Sequence, residues 1–428
     1  MDDKLLRGLG AIYTPPDFAH FLTSWAVQSS RQKVLDVGVG EGVFTFAAYQ
    51  RLRDLGARPL NAQRQVFGAE IDRATYKNFV GLAKEKNAEF PNIYPEDFFN
   101  ITFPPVDAVV GNPPYVRRTY LNNVDQIRRS VIVHEPEGKI DLSRLTDLYV
   151  YFLLRAIPIL KPGGRLAVIT ADPWLNTTYG GAFKKYLQDH FVIESLVSLD
   201  RRVFDANVSV KPVLVLATKN TAAHIAKSIR FIRLKNGLPI NDLQFFLNNP
   251  RKKKPGDVLI RKIKRQELNA TEPWGKYFKA PDMCKELADH KLMISMADLA
   301  ETRIGIQTLA KEFFVLTPEK ATKAQIESEF LEPMAQSIKY NYAPTIEVGE
   351  NPFLYCFHCS KSKEELRGTK ALAYILQAET SEVPVRGKDT TVMGFHNKER
   401  INKANRTYWY DLKTDLERRG RAEILIPR

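Results

Sequence analysis

The chain has few cysteines, no apolar signal-like segment near residue 1 and no long apolar run. Three cysteines among 428 residues are too few for the disulfide framework that stabilises small secreted domains. The amino terminus, MDDKLLRGLGAIYTPP, contains no apolar segment like that of a signal peptide. No stretch approaches the roughly 20 apolar residues of a transmembrane helix. We therefore expect a cytoplasmic protein that is neither secreted nor embedded in a membrane.

Two other common sites are missing from the sequence. Cys356-Phe357-His358-Cys359 has the spacing of half a zinc site, but only Cys284 remains besides it and there is no second cysteine pair. A P-loop requires Gly-Lys followed by Ser or Thr, and the glycine-rich segment near residue 40 continues with neither. The sequence therefore predicts no resident metal ion and no P-loop.

The composition is that of a globular protein with a basic surplus. Apolar residues make up 44% of the chain and charged residues 26%, and its length favours two domains. Lys and Arg number 63 against 49 Asp and Glu, a net charge of +14. Residues 1–220 carry +4 of this surplus and residues 221–428 carry +10. Such a surplus indicates a polyanionic partner, most simply nucleic acid, although an inert basic surface would give the same total.

The first half alternates between short apolar runs and helical patterns. The runs are 33–37, 65–71, 106–110, 165–170, 192–199 and 213–217, and helical patterns cover 18–27 and 148–160. Buried strands with helices between them predict an open α/β sheet that is covered on both faces and binds ligands beyond the carboxyl ends of its strands. The pattern becomes irregular near residue 236, so we expect an α/β domain over 1–235 and an α+β domain over 236–428.

A glycine-rich turn follows the first predicted strand. Asp36, Gly38 and Gly40 lie in the segment DVGVGEG. Glycines allow the backbone to turn tightly and to approach a ligand closely. By itself the segment is a weak indication, because many nucleotide-binding folds and some ordinary turns contain it.

Acidic residues follow at the ends of the next predicted strands. Glu70, next to Ile71, ends the second strand, where a carboxylate can accept hydrogen bonds from both ribose hydroxyls. Asp97-Phe98 suits an adenine, since the acid can accept from its amino group while the ring covers a face. The combination suits S-adenosylmethionine at least as well as NAD. Each acid alone could equally be a solvated residue at a strand end.

The segment Asn112-Pro113-Pro114-Tyr115 lies at the carboxyl end of the third predicted strand. Two prolines fix the backbone, and the Asn112 side-chain oxygen and the Pro113 carbonyl can both accept from an aromatic amino group. Accepting both protons withdraws the nitrogen lone pair from the ring and makes the amine a better nucleophile. Tyr115 could stack on the base that carries the amine. The alternative is a rigid turn without a catalytic role.

With these motifs in this order, residues 8–218 resemble the gamma class of adenine-N6 DNA methyltransferases, the TaqI-like restriction-modification methylases. That class places a cofactor-tail motif before the glycine loop, and here the segment that contains Tyr13, Thr14 and Pro15 precedes Asp36. Phe204 falls where the class has a second aromatic residue for base stacking. The resemblance implies a Rossmann-like S-adenosylmethionine-dependent methyltransferase domain.

The resemblance also implies a reaction and a set of contacts. S-adenosylmethionine would donate a methyl group to the exocyclic amine of an adenine that has left the stack of duplex DNA. Tyr115 and Phe204 would hold the extruded ring, and Asn112 and Pro113 would orient the amine. Asn112 would contact the cofactor as well, together with the residues that precede and form the glycine loop.

The second half would then recognise DNA. Residues 302–308 and 409–412 resemble parts of methylase specificity domains. Basic residues that could contact phosphates, unless they form a solvated face, are Arg251, Lys252, Lys253, Arg261 and Lys264. Related specificity domains continue beyond the segment 423–428, so the recognition domain could be incomplete or completed by a specificity partner. A cognate restriction endonuclease and association with the nucleoid would fit this interpretation.

Other functions remain open from the sequence alone. Methylases of rRNA bases and of a protein glutamine side chain share the Asn-Pro-Pro-Tyr segment, although the Tyr-Thr-Pro-Pro segment and the basic second half favour DNA. A DNA-binding modification subunit without catalysis is an alternative of a different class. Cytosine-N4 transfer presents the same amine geometry and is not distinguished from adenine-N6 transfer by these residues.

Overall fold

We analysed a computed structural model of the chain. It describes residues 14–115, 146–199, 211–221, 228–234, 258–279, 305–334, 354–384, 390–404 and 406–419, together with 240, 243, 247, 290, 293–294 and 296–301. The chain divides into two compact units, Met1–His290 and Lys291–Arg428. Within the described ranges, no helix combines the length and the apolar character needed to cross a bilayer.

Nine strands of the described part of the first unit form one sheet. They are β1 (Val34–Asp36), β2 (Val66–Ala69), β3 (Ile93–Tyr94), β4 (Val106–Gly111), β5 (Leu160–Ala171), β6 (Phe191–Leu199), β7 (Pro212–Lys219), β8 (Ser228–Leu234) and β9 (Val258–Lys264). Their order is β3-β2-β1-β4-β5-β7-β6-β8-β9. The first five follow the Rossmann order and are parallel, whereas β7 is antiparallel to both of its neighbours. The predicted α/β fold is confirmed.

Helices of the first unit connect these strands. They are α1 (Pro16–Ala26), α2 (Val43–Asp54), α3 (Pro59–Arg64), α4 (Arg73–Glu85), α5 (Leu148–Ala156), α6 (Pro173–Asn176), α7 (Gly180–His190) and α8 (Lys276–Lys279), with 3₁₀ turns at Phe98–Asn100 and Arg265–Glu267. Local sequence sets several of their starts. Pro16 occupies the first turn of α1, where its missing N–H costs nothing, and the Asp72 side chain caps α4 by accepting from the Thr75 N–H at 2.8 Å.

Both faces of the sheet are buried, which explains why its strands are apolar runs rather than alternating ones. Leu35 and Val109 belong to a core that also contains Leu153 of α5. Their neighbours Val34 and Val110 point the other way, into a core that contains Leu22 of α1. Because both faces of the strands are packed in these cores, the residues directly after the strands are held in place at the edge of the sheet.

Strand direction decides which loops share that edge. The carboxyl ends of β6 and β8 lie on the same edge as those of β4 and β5, since β6 pairs in parallel with β8 and β7 is antiparallel to both β5 and β6. β9 runs the opposite way, with Val258 paired to Leu234 and Lys264 paired to Ser228. It therefore begins at the edge that carries Asn112 and ends at the opposite edge.

The division between the units lies after His290, later than the expected boundary at residues 235 and 236. β9 extends the large sheet by pairing with β8 over its whole length, so residues 258–264 belong to the first unit. Trp274 is also buried in the core of that unit. The irregular sequence pattern that begins near residue 236 therefore first covers residues that extend the large sheet, and the second unit begins only at Lys291.

The second unit combines small sheets with short helices. Strands β10 (Val315–Leu316), β11 (Leu331–Met334) and β12 (Leu354–Phe357) form one sheet, and β13 (Glu382–Pro384) pairs with β14 (Thr391–Met393). The helices are α9 (Met296–Leu299), α10 (Lys311–Phe314), α11 (Pro318–Ala324), α12 (Lys370–Thr380), α13 (Glu399–Asn402) and α14 (Lys413–Arg419), with 3₁₀ turns at Ser328–Phe330 and Phe395–Asn397. Phe313, Phe357 and Ile375 lie in its core. This is the α+β architecture that the irregular pattern predicts.

Candidate active site

The glycine loop packs directly against the Asn-Pro-Pro-Tyr turn. Gly38 follows β1 with a φ of +138°, and a Cβ atom placed on it would lie 3.3 Å from the Asn112 carbonyl oxygen and 3.5 Å from the Pro113 Cα. Only glycine combines this backbone conformation with so close an approach. The two motifs that the sequence places at separate strand ends are therefore neighbours.

Asp36 is fully buried beneath this loop. Its Oδ2 atom accepts a hydrogen bond from the Thr45 hydroxyl at 2.8 Å, while its Oδ1 atom is buried without a hydrogen-bond partner among the described residues. Burial raises the pKa of Asp36 from 3.8 to about 7, and the bond from Thr45 opposes that rise. A buried carboxylate oxygen without a hydrogen-bond donor costs folding free energy, and a bound ligand that donates to it would recover part of that cost.

Glu70 holds the glycine loop from the end of β2. Its Oε2 atom accepts from the Gly40 N–H at 3.0 Å and its Oε1 atom from the Asp72 N–H at 2.8 Å. Burial raises the pKa of Glu70, and these two N–H groups oppose the rise. Each carboxylate oxygen can accept a further bond. Ile71 beside it is 60% exposed, so its apolar surface is open to a ligand.

Asp97 and Phe98 follow the short strand β3. Asp97 begins the 3₁₀ turn and accepts from the Phe99 N–H at 3.0 Å through Oδ1. Phe98 is only 3% exposed and stacks on Phe152, with ring centroids 5.0 Å apart. The ring that the sequence predicts to cover an adenine therefore packs mainly in the core. Asp97 is half-buried and keeps its second oxygen for another donor.

Asn112 is held by a residue 98 positions earlier in the chain. Its Nδ2 atom donates to the Thr14 Oγ1 at 3.0 Å, and Thr14 is buried in the segment that leads into α1. Pro15, next in the chain, is half-buried and precedes the first turn of α1. The Asn112 Oδ1 atom is buried and accepts no hydrogen bond from the described residues. The Thr14 contact thus fixes the orientation of the amide and leaves its oxygen without a donor among the described residues.

Tyr115 lies between the two cores of the first unit. Its ring packs nearly perpendicular to Tyr149, at 5.7 Å between centroids and 73° between planes. Burial raises the pKa of Tyr115 well above its ordinary value, and the charge of Asp172 adds to this effect. Tyr13 and Phe204 lie outside the described residues.

Sequence reasoning missed Tyr149 and Asp172. Asp172 directly follows β5, so the strand-end rule that selected Glu70 could also have found it. Burial raises the pKa of Asp172, and the nearby Lys211 and Lys279 oppose the rise. Tyr149 lies in the first turn of a helix and looks like an ordinary core residue in the sequence.

The predicted DNA-binding residues have different placements. Lys264 is exposed at the sheet edge opposite to Asn112, and its Nζ atom lies 3.9 Å from the Glu267 carboxylate. Arg261 is half-buried, with a bond at 3.4 Å to the Tyr277 carbonyl. Arg251, Lys252 and Lys253 lie outside the described residues. The structure thus brings neither Arg261 nor Lys264 to the edge that carries the Asn-Pro-Pro-Tyr turn.

In the second unit, Arg406 connects the two segments that resemble specificity domains. Its guanidinium donates to the carbonyls of Gln307, Thr308 and Trp409, at 3.3 to 3.5 Å, and its Nη2 atom lies 3.0 Å from the Asp415 carboxylate. Its side chain is 3% exposed. The Trp409 ring packs 4.6 Å from that of Phe313. Both side chains therefore serve the core of this unit.

The residues at the strand ends fit S-adenosylmethionine. Its cationic amino and sulfonium groups would complement the orphaned Asp36 oxygen, and Glu70 has spare acceptors for ribose hydroxyls. A Cβ atom on Gly40 would have no other heavy atom within 4 Å, so the glycine loop borders open space at that residue. No group of three or more His, Cys, Asp or Glu side chains suited to a metal occurs in the described part of the chain.

Comparison with known proteins shows that the chain is similar to restriction-modification methylases. Residues 59–204 match the Eco57I restriction-modification methylase family. The chain is 24% identical over 415 residues to the Type II methyltransferase M.AccI of Acinetobacter calcoaceticus, covering 94% of this chain and 68% of that protein. It is 24% identical over 388 residues to the Type II methyltransferase M.BstVI of Geobacillus stearothermophilus, covering 80% of this chain and 66% of that protein.

A solved structure shares the fold. The type IIG restriction endonuclease BpuSI superposes with a TM-score of 0.53 and 16% identity, over 86% of this chain and 45% of that one. The chain thus spans about two thirds of the curated relatives and under half of BpuSI. Restriction-modification methylases use S-adenosylmethionine, which the strand-end residues described above fit. Residues 59–204 are therefore similar to the restriction-modification methylases of the Eco57I family.

Proposed function

We propose that this protein transfers a methyl group from S-adenosylmethionine to the exocyclic N6 amine of an adenine extruded from duplex DNA, at a specific site, within a restriction-modification or related defence system. The proposal extends the family resemblance to the base, the atom and the whole chain. Its cellular setting would be the cytoplasm, in association with the nucleoid.

The observation that carries this proposal is the orientation of Asn112. Its Nδ2 atom is engaged by Thr14, so its buried Oδ1 atom is left as an acceptor. An aromatic amine that donates one proton to this oxygen and one to the Pro113 carbonyl loses conjugation with its ring and gains nucleophilicity. Gly38 holds the glycine loop against the same turn, so cofactor and amine would meet there.

S-adenosylmethionine supplies an electrophilic methyl group when it is bound. The chain contributes binding and orientation. Asp36 and Glu70 would bind the cationic and ribose parts, with Ile71 and Asp97 beside them and Thr14 and Pro15 on the other side. Asn112 and Pro113 hold the amine, whose proton leaves after transfer, so no strong base is needed before it. Catalysis on this account is mainly positioning and electrostatic preorganisation.

Base extrusion and DNA recognition complete the proposal. Tyr115 would stack on the extruded ring, with Phe204 as its expected second support. The second unit would read the target sequence, alone or with a specificity partner, and a cognate restriction endonuclease would complete the system. The net charge of +10 over residues 221–428 favours a polyanionic partner for this half.

The test is transfer of tritiated methyl groups from S-adenosylmethionine to duplex DNA, rRNA and protein by the purified full chain. We expect incorporation into duplex DNA. We expect Asn112→Ala to abolish it while cofactor affinity stays within about tenfold, because Oδ1 acts on the amine. Thr14→Val, which removes the acceptor for Nδ2, should lower the rate by roughly tenfold, whereas Thr14→Ser should retain it.

Near wild-type transfer by Asn112→Ala would refute the assignment of the site. Incorporation into rRNA or protein instead of DNA would identify the alternative substrates. Modification-sensitive sequencing of DNA from a host that expresses the protein then identifies the base and the site. Methylated cytosine in place of adenine would overturn the N6 assignment while leaving the amine geometry intact.

A further inference from the structure

Behind Tyr115 lies a buried chain of hydrogen bonds that the proposed reaction does not yet use. The Tyr149 and Tyr179 hydroxyl oxygens are 3.1 Å apart, and the Tyr179 hydroxyl donates to the Asp147 Oδ2 at 2.9 Å. Tyr149 is 1% exposed and Tyr179 8% exposed. Two hydroxyl groups so far from water are costly unless each has a hydrogen-bond partner, and the half-buried Asp147 supplies the last acceptor.

The direction of the hydrogen bonds in this chain follows from its acidic end. A carboxylate oxygen only accepts hydrogen bonds, so Asp147 fixes the direction at one end of the chain. Tyr179 gives its proton to Asp147, so its oxygen is free to accept the proton of Tyr149. Burial and this donation raise the pKa of Tyr149 well above its ordinary value and keep the hydroxyl protonated.

The chain joins two segments near Tyr115. Asp147 and Tyr149 lie at the start of α5, and Tyr179 directly precedes α7. A buried tyrosine ring whose hydroxyl is hydrogen-bonded has less freedom to tilt than one whose hydroxyl has no partner. Because the Tyr115 ring packs at 73° against that of Tyr149, the fixed ring limits where Tyr115 can lie.

We propose that Tyr149 and Tyr179 are positioning residues that hold the Tyr115 ring in place to stack on the extruded base. The inference rests on the proposed function and adds residues that do not touch the base, the cofactor or the reacting atoms. Its physical basis is that transfer requires the amine to be placed within a fraction of an ångström, and a misplacement of about 1 Å can cost about 100-fold in rate.

The test uses Tyr149→Phe, which keeps the ring but removes the hydroxyl, and Tyr149→Leu, which removes the ring. Single-turnover methyl transfer to duplex DNA should fall by roughly tenfold in the first variant and roughly 100-fold in the second. The dissociation constant for S-adenosylhomocysteine and the KM for DNA should both stay within about twofold, since neither ligand meets Tyr149. Tyr179→Phe interrupts the same chain from another segment and should match Tyr149→Phe.

Tyr374→Phe is the matched control, because it removes one tyrosine hydroxyl that donates to the Phe313 carbonyl at 2.7 Å in the second unit. It should lower the melting temperature as much as Tyr149→Phe without slowing transfer. Unchanged rates in both Tyr149 variants, or equal losses of rate and of cofactor affinity, would overturn the positioning role. Failure of the proposed function is distinct: the wild-type chain would then transfer no methyl group to DNA, whatever residue 149 is.

Discussion

The buried carboxylate Asp36 should make the stability of the first unit depend on pH in an unusual direction. Its side chain is completely buried, and burial raises its pKa from 3.8 to about 7. Below about pH 4 the carboxyl is protonated in folded and unfolded chains and contributes nothing to the difference between them. Between about pH 4 and pH 7 the unfolded chain loses the proton that the folded chain keeps, so stability falls as pH rises.

The magnitude follows from the two pKa values. Each pKa unit corresponds to about 1.4 kcal/mol, so the full cost above about pH 7 is on the order of 4 kcal/mol. About 2.5 kcal/mol of it develops between about pH 5 and pH 8. For a unit of this size, 1 kcal/mol moves the melting temperature by roughly 2–4 °C. Replacing Asp36 by Asn removes the ionisation while keeping an oxygen to accept from Thr45.

The assay is the melting temperature of wild type and Asp36→Asn across that pH range, without cofactor. We expect the variant to gain roughly 5–10 °C relative to wild type on going from about pH 5 to about pH 8, whatever the offset between them at low pH. Asp189→Asn removes an exposed carboxylate 2.6 Å from Lys185 and controls for the loss of one negative charge. An Asp36→Asn difference that stays the same at every pH would show that Asp36 is ionised throughout and would refute the argument.

Two further predictions concern the glycine loop and the basic residues. Gly38→Ala should weaken binding of S-adenosylhomocysteine by at least about tenfold in calorimetry, because the added Cβ would crowd the Asn112 carbonyl. Gly56→Ala is the control. Gly56 also has a positive φ, of +97°, but a Cβ there would lie in open space, so this variant should bind normally. Normal binding by Gly38→Ala would contradict the close packing of loop and turn. Joint replacement of Arg251, Lys252 and Lys253 by Ala should reduce the salt dependence of DNA binding more than Lys264→Ala. The three residues precede Val258 by five to seven positions in the sequence, and β9 begins there, at the edge that carries Asn112. The reverse ranking would place the DNA at the opposite edge.

The sequence by itself determined the α/β architecture and the order of the motifs. Each predicted strand is a short run that is buried on both faces. Such a strand must be apolar at almost every position, so it can be recognised in the sequence without a structure. The strand ends then identify Asp36, Glu70 and Asn112, because the polar residues that follow such runs emerge at one edge. These are local properties of the chain.

Only the tertiary structure decided which distant groups meet. That Thr14 accepts from Asn112, that the Tyr149 hydroxyl chain lies behind Tyr115, and that Arg406 joins residues 307–308 to Trp409 depend on contacts between segments far apart in the sequence. The direction of β9, which carries Lys264 away from the site, depends on sheet pairing. Local sequence encodes turns and strands, whereas the partner of a polar side chain is selected by packing and register among segments that the pattern of one segment does not specify.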